Sequence, residues 1–262
     1  MEEKLGFRLK WLAVSSFEME FGSTTVVSDP YITHCKGTDL TWEAVEKCNL
    51  ITLSHAHWDH ITDIPALLDK FNPRLLCGDK SMLPMAEWLN CKISRIYPMY
   101  PDTELDFGGV TVRALYGRHT ELNSGYNTLT SRLIDGGVAD LVRDFPDDPY
   151  MPTMAPLQGI GSLEYRNYLF TLPSGKTVFV WGGAPTIEQR NMFRGLNPDV
   201  AILQLSGYDP ASVAQMGADV GARVIIPHHM DLSKTPEEYL PRIEMLREEF
   251  KKRVPQGEWF EV

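Results

Sequence analysis

Apolar and polar positions alternate through residues 7–14, 18–21 and 24–28, with Gly22-Ser23 as a turn between the last two, so the chain opens as a meander of short strands. The apolar run 49–53 predicts a further strand, and 74–78 another short element. Residues 110–119 alternate again. Residues 165–172 and 177–180 read as a hairpin through Pro173-Ser174-Gly175, and 200–205 and 222–226 as buried strands. Helical signals fall between them at 40–46, from Ile64 onward, at 80–89 with Pro84 in the first turn, and at 235–251 behind Thr235-Pro236-Glu237. The chain thus runs strand-rich, then helical, in two successive passes. Two strand layers flanked by helices would bury both sets of apolar faces, an α+β arrangement.

The run at 49–53 leads directly into Ser54-His55-Ala56-His57-Trp58-Asp59-His60. Side chains alternate along a strand, so His55 and His57 should point the same way, and the next turn should bring Asp59 and His60 back toward them in one small volume. Seven histidines occur in the whole chain, and three of them sit here beside an aspartate, which points to metal ligation. Imidazole and carboxylate suit zinc, iron or manganese, so residue type leaves the ion open. Ser54, Thr62 and Asp63 read as turn or cap residues ahead of the next helix.

This His55-x-His57-x-Asp59-His60 pattern resembles the hallmark of the metallo-beta-lactamase fold superfamily. With Asp29-Pro30 closing the strand at 24–28, the chain is most similar to its metal-dependent hydrolases, a group with lactonase-like and phosphodiesterase-like members. The resemblance implies a four-layer αββα sandwich, formed as one domain over residues 1–262. It also implies that His119, ending its strand, is the third ligand of a first metal site. The spacing Pro227-x-His229 favours His229 as the final ligand, with His228 as the fallback. The expected metal set is therefore His55, His57, His119, Asp59, His60 and His229, binding one or two zinc ions, with manganese or iron as alternatives.

One departure from the family pattern stands out. The strand at 176–181 leads to Gly182-Gly183-Ala184, and Gly183 falls where a bridging aspartate is expected, so the sequence predicts that this aspartate has been lost. Three readings follow. One ion remains on His55, His57 and His119, with Asp59 as general base and His60 and His229 as proton-transfer or orienting groups. Alternatively Asp29, Asp231 or Glu164 supplies the missing carboxylate, or the site is degenerate and binds a ligand without turnover.

Residues 120–164 form the least regular stretch and are expected to overhang the site. Their aromatic and methionine groups would either wall a pocket or pack the segment onto the domain, and Trp58 faces the same choice. A formal charge of −10 and the lack of a basic cluster with interleaved aromatics disfavour nucleic acid as a partner. Arg118, Arg132, Arg166 and Arg190 could clamp an anion, although solvated surface arginine is the ordinary reading. Cys35, Cys48, Cys77 and Cys91 lack close ligand spacing and read as reduced thiols of a cytoplasmic protein. No leader or membrane span is evident. His34, just past the Asp29-Pro30 loop, is left outside the catalytic set.

The sequence reading is thus a cytoplasmic hydrolase that cleaves a small ester, lactone, amide or phosphodiester with metal-bound hydroxide. Its partner is a small molecule, without nucleic acid or membrane, and a homo-oligomer is possible. The alternative is a non-catalytic binding or interaction protein with a degenerate site. Redox chemistry at a two-iron centre ranks last.

Overall fold

A computed structural model describes residues 6–119, 136–161, 164–205, 207–232 and 234–259. One sheet has six strands in the order β1 (Arg8–Ala13), β2 (Ser16–Phe21), β3 (Thr24–Ser28), β4 (Leu50–Thr52), β5 (Arg74–Cys77) and β6 (Ile96–Pro98). Its first three strands pair antiparallel, and β3 through β6 pair parallel. The other sheet comprises β7 (Glu104–Asp106), β8 (Thr111–Tyr116), β9 (Arg166–Thr171), β10 (Thr177–Trp181), β11 (Val200–Gln204), β12 (Val224–His228) and β13 (Glu258–Trp259). They lie side by side in reverse chain order, antiparallel from β7 to β10 and parallel from β10 to β13.

The strand period explains the layering. In β11, Val200 and Ile202 join a core with Phe17, Phe21, Leu50 and Phe170 from both sheets. Ala201 and Leu203, one residue out of phase, join an outer core with Phe179, Val213 and Phe250. That outer face is covered by α7 (Pro210–Val220) and α8 (Pro236–Arg253). On the far side, Ile51 and Leu75 face α2 (Ile64–Phe71) and α3 (Met82–Trp88) through Ile64, Leu67 and Met85. The result is a four-layer αββα sandwich of the metallo-beta-lactamase type. No helix is long and apolar enough to cross a membrane among the described residues.

The predicted helix at 40–46 shrinks to one 3-10 turn, Trp42–Ala44, none of whose residues is buried. Trp42 and Ala44 pack only partly against the core, and Val45 already leaves the helical region at ψ 120°, so the turn does not propagate. Residues 136–144 form α4, Ala155–Gly161 forms α5 and Ile187–Met192 forms α6. Between α4 and α5, Met151 and Met154 are fully buried with Trp88, Leu141 and Leu157 beneath the first sheet. Residues 120–135, which include Arg132 and the start of the expected insertion, lie outside the described residues.

Candidate metal centre

The strand before the histidine motif is shorter than its apolar run because a side chain intercepts it. Leu53 still donates to Leu76 O at 2.8 Å, but the Ser54 N–H is taken by Asp29 Oδ1 at 2.7 Å. Residues 53–57 therefore leave the sheet as an extended segment. His57, at φ −77° and ψ 154°, begins the short helix α1 (Trp58–Ile61), whose first turn carries Asp59 and His60. The motif gathers in one small volume, as expected, with the His55 ring 4.4 Å from His57 and 4.2 Å from His60, but it divides there between two donor sets. Its extended part and its helical part each supply two residues to a different cluster.

His55, His57 and His119 form one group, and Asp59, His60 and His229 form the other; within each, the candidate ligand atoms all lie within 4.8 Å of one another. His119 follows β8 and His229 follows β12, so each cluster takes one member from the second sheet. The clusters adjoin through the rings of His55 and His60, whose centroids are 4.2 Å apart. Within the first, His55 Nε2 and His57 Nδ1 are separated by 3.0 Å. In the second, Asp59 Oδ2 lies 3.2 Å from His229 Nε2 and 3.7 Å from His60 Nε2. Ligand atoms bound at ~2.0–2.1 Å in a tetrahedron stand about 3.3 Å apart, so these separations of 3.0 to 3.7 Å are close to what a metal ion requires.

Protonation preferences at the first cluster agree with that fit. Burial and the adjoining His60 and His57 rings hold His55 well below the usual imidazole value. Burial and His119 lower His57 to about 3. Both rings are therefore neutral at neutral pH, the state in which imidazole binds metals. Burial pushes the Asp59 carboxyl upward, but His60 and His229 outweigh it and keep Asp59 anionic. Burial opposes charge on His60, yet Asp59 and Asp29 raise it above its ordinary value.

Behind the ligands, Ser54 Oγ donates to Asp29 Oδ2 at 2.7 Å and lies 3.0 Å from His55 Nδ1. A hydroxyl already donating to a carboxylate is left to accept, which places the His55 proton on Nδ1 and frees Nε2 for the cluster. Asp29 Oδ2 also lies 3.1 Å from His60 Nδ1. Asp29 thus supports both clusters from outside them. Its φ of +38° and that of His229, +57°, are left-handed, a conformation costing on the order of 1–3 kcal/mol that clusters at functional sites.

The expectation of a lost aspartate is overturned. The carboxylate of the paired site is intact as Asp59, and Gly183 replaces nothing. A Cβ at Gly183 would lie 2.7 Å from the Arg118 carbonyl oxygen, which also accepts from Ala184 N at 3.2 Å and Gln189 Nε2 at 3.3 Å. Glycine at this position allows the exit of β10 to pack against the backbone beside His119. No substitute carboxylate is needed either. Asp231 accepts from Val14 N, and Glu164 accepts from Ser81 N at 2.8 Å and lies 3.6 Å from Arg166.

Other sequence candidates fall outside the clusters. His228 is turned away, with Nδ1 3.1 Å from Ser15 Oγ and Nε2 3.4 Å from Trp181 O. His34 packs its ring 4.2 Å from Phe145. Arg166 is buried and pairs with Asp79 at 2.8 Å, and Arg190 pairs with Asp219 at 3.4 Å. Trp58 packs edge-on to Tyr31 at 5.3 Å.

Two neighbours of the motif carried no signal in the sequence. Tyr165, just before β9, stacks on His55 at 4.8 Å, and burial holds its phenol well above the ordinary value. Gln158, on the helix Ala155–Gly161, accepts from Trp58 N at 2.9 Å. Gly161 ends that helix so close that a Cβ there would lie 2.5 Å from His57 Cδ2 and 2.9 Å from the Ala56 backbone carbon.

Residues 8–134 match the family model described as the Beta-lactamase superfamily domain. A UPF0173 metal-dependent hydrolase of Geobacillus sp. (strain WCH70) is 27% identical over 222 residues, covering 82% of this chain and 81% of that protein. A UPF0173 protein of Pyrococcus abyssi is 26% identical over 112 residues, 43% of this chain, and that match spans only about half of the relative, 49% of its length. The solved structure of a metallo hydrolase from Ignicoccus hospitalis superposes with a TM-score of 0.64 at 14% identity, covering 97% of this chain and 94% of that one. At that identity the likeness is one of fold.

Proposed function

We propose that the protein is a metal-dependent hydrolase of a small molecule, and that the scissile bond is an ester, lactone, amide or phosphodiester. The observation that carries this reading is the pair of adjoining donor sets, each of ligand geometry, with rings 4.2 Å apart across their boundary. His55, His57 and His119 would hold one ion, and Asp59, His60 and His229 a second. Ions held there would lower the pKa of a water molecule and polarise the electrophile it attacks. The naming of Geobacillus and other relatives as metal-dependent hydrolases supports the same reading.

The chain's own groups have definable tasks in such a reaction. Asp59 keeps a negative charge between two imidazoles and can orient an attacking water by accepting its proton in a hydrogen bond. With only the first ion bound, His60 and His229 flank Asp59 and are placed to steer a proton toward a leaving group. Tyr165 backs His55, and residues 136–161, packed against the motif through Gln158 and Gly161, would limit solvent access from that side.

The test begins with protein purified without added metal or chelator. Elemental analysis should find up to two transition-metal ions per chain, zinc foremost, with manganese or iron as alternatives. A panel of a lactone, an aryl ester, an anilide and a phosphodiester should then reveal one preferred class, with turnover lost in His57→Ala. A chain that takes up no zinc, manganese or iron on reconstitution would sink the proposal.

A further inference from the structure

Metal-binding histidines are normally aimed by a hydrogen bond from the ring nitrogen that does not bind the ion. His55 has such a partner in Ser54; His60 Nδ1 is buried and makes no hydrogen bond, but it has the Asp29 carboxylate as an ion-pair partner at 3.1 Å. His229 differs. Its Nδ1 is buried and has no hydrogen-bond partner among the described residues, although Nε2 stands 3.2 Å from Asp59 Oδ2. With no such bond at Nδ1, the placement of this ring rests on the Asp59 contact at Nε2 and on its backbone, which adopts φ +57° immediately after β12.

That backbone is gripped by a segment more than 200 residues away. His229 N donates to Val14 O at 2.8 Å. Val14 forms the two-residue tip of the β1–β2 hairpin with Ser15 and is itself left-handed at φ +46°, a conformation that opposes its branched side chain. Asp231 counters this. Its two carboxylate oxygens accept from Val14 N at 3.0 and 3.2 Å, across 217 residues of sequence. Asp231 is only 1% exposed and has no ion-pair partner among the described residues; Cys35 Sγ, at 3.7 Å, is its other side-chain contact. A buried carboxylate without a cation is costly unless its hydrogen bonds are met, so the Val14 N–H is central to its placement.

We propose that Asp231 is a positioning residue that aims His229 into the second cluster by clamping the tip of the β1–β2 hairpin. The chain of contacts is Asp231 carboxylate to Val14 N–H, then Val14 C=O to His229 N–H, closing a loop around the turn at 229–231. This rests on the reading that Asp59, His60 and His229 hold an ion. It adds that the last of these ligands depends on the first hairpin of the chain.

The test titrates metal-free protein with zinc against a chromophoric chelator, in wild type, Asp231→Ala, Asp231→Asn and His229→Ala. Wild type should bind two ions, and His229→Ala should mark the loss of the one at the second cluster. Asp231→Ala should weaken that same ion by about 10–100-fold and leave the other unchanged. Asp231→Asn keeps one acceptor oxygen and should fall between wild type and alanine, and it decides the matter should the alanine variant not fold. Asp231 variants that melt earlier yet bind both ions with wild-type affinity would assign the residue to stability alone and overturn the proposal. Failure of wild type to bind zinc would instead remove the metal reading on which the inference rests.

Discussion

Ser54 carries one hydroxyl between a carboxylate and an imidazole, and Asp29 extends the same support to His60. Ser54→Ala should therefore weaken the ion on the His55 cluster by about 10–100-fold, whereas Asp29→Asn should weaken both, measured by chelator competition. Equal behaviour of the two variants would break this assignment. Gly183→Asp tests the correction made at that position. The new side chain meets the Arg118 carbonyl at its first carbon, so the substitution should cost about 1–3 kcal/mol by overpacking and add no ion. A gain in metal stoichiometry would show that a carboxylate was missing after all. The residues that were legible in the sequence are those whose chemistry is rare and closely spaced, such as His55, His57, Asp59 and His60. Ser54, Tyr165 and Gln158 are ordinary residues in ordinary contexts, and only their neighbours in space give them a part in the site. Gly183 misled because a glycine at an expected ligand position reads as a loss, while the backbone beside it is visible only in three dimensions.

Elements with strong periodicity were the readable ones. The hairpin β9–β10, the buried β11 and the capped α8 all follow from alternation and turn or cap residues, and α8 has the capping box of Thr235 and Glu238. The 3-10 turn at Trp42–Ala44 was harder, because its pattern suggested a helix that the extended backbone at Val45 cuts to one turn. The division of the motif between an extended segment and α1 was harder still, since it depends on Asp29 capturing the Ser54 N–H. Contact between the helix Ala155–Gly161 and the motif leads to a prediction at this scale. Gly161→Val places methyl groups against His57 and the Ala56 backbone, so the helix must withdraw. Thermal unfolding should shift downward by several degrees, consistent with about 1–3 kcal/mol of overpacking, and zinc affinity at the His57 cluster should fall with it. Unchanged affinity in a folded variant would separate this helix from the site.

At the scale of the molecule, buried histidines make the metal-free protein sensitive to acid. Burial, followed by the neighbouring His229, lowers His228 to about 3 in the folded chain, against roughly 6.5 when unfolded. Between these values the unfolded chain binds more protons, so stability present above about pH 6.5 drains away as the pH falls toward 3. From about pH 7.5 to pH 5, His228 alone should account for about 2 kcal/mol, read from urea unfolding of the metal-free protein. His228→Gln should flatten the slope by that amount; an unchanged slope would refute the assignment. The two-sheet origin of each cluster bears on cohesion as well as chemistry. The segment leaving β4 of the first sheet, with α1, offers two ligands to each ion, and the ends of β8 and β12 in the second sheet offer one, His119 or His229. A bound ion is therefore a rivet through the sandwich, and stripping it with a chelator should lower the melting temperature by about 5–10 °C. Drawn apart by force, the two halves should part at the histidines of the second sheet, and metal supply would then set how firmly the protein holds together.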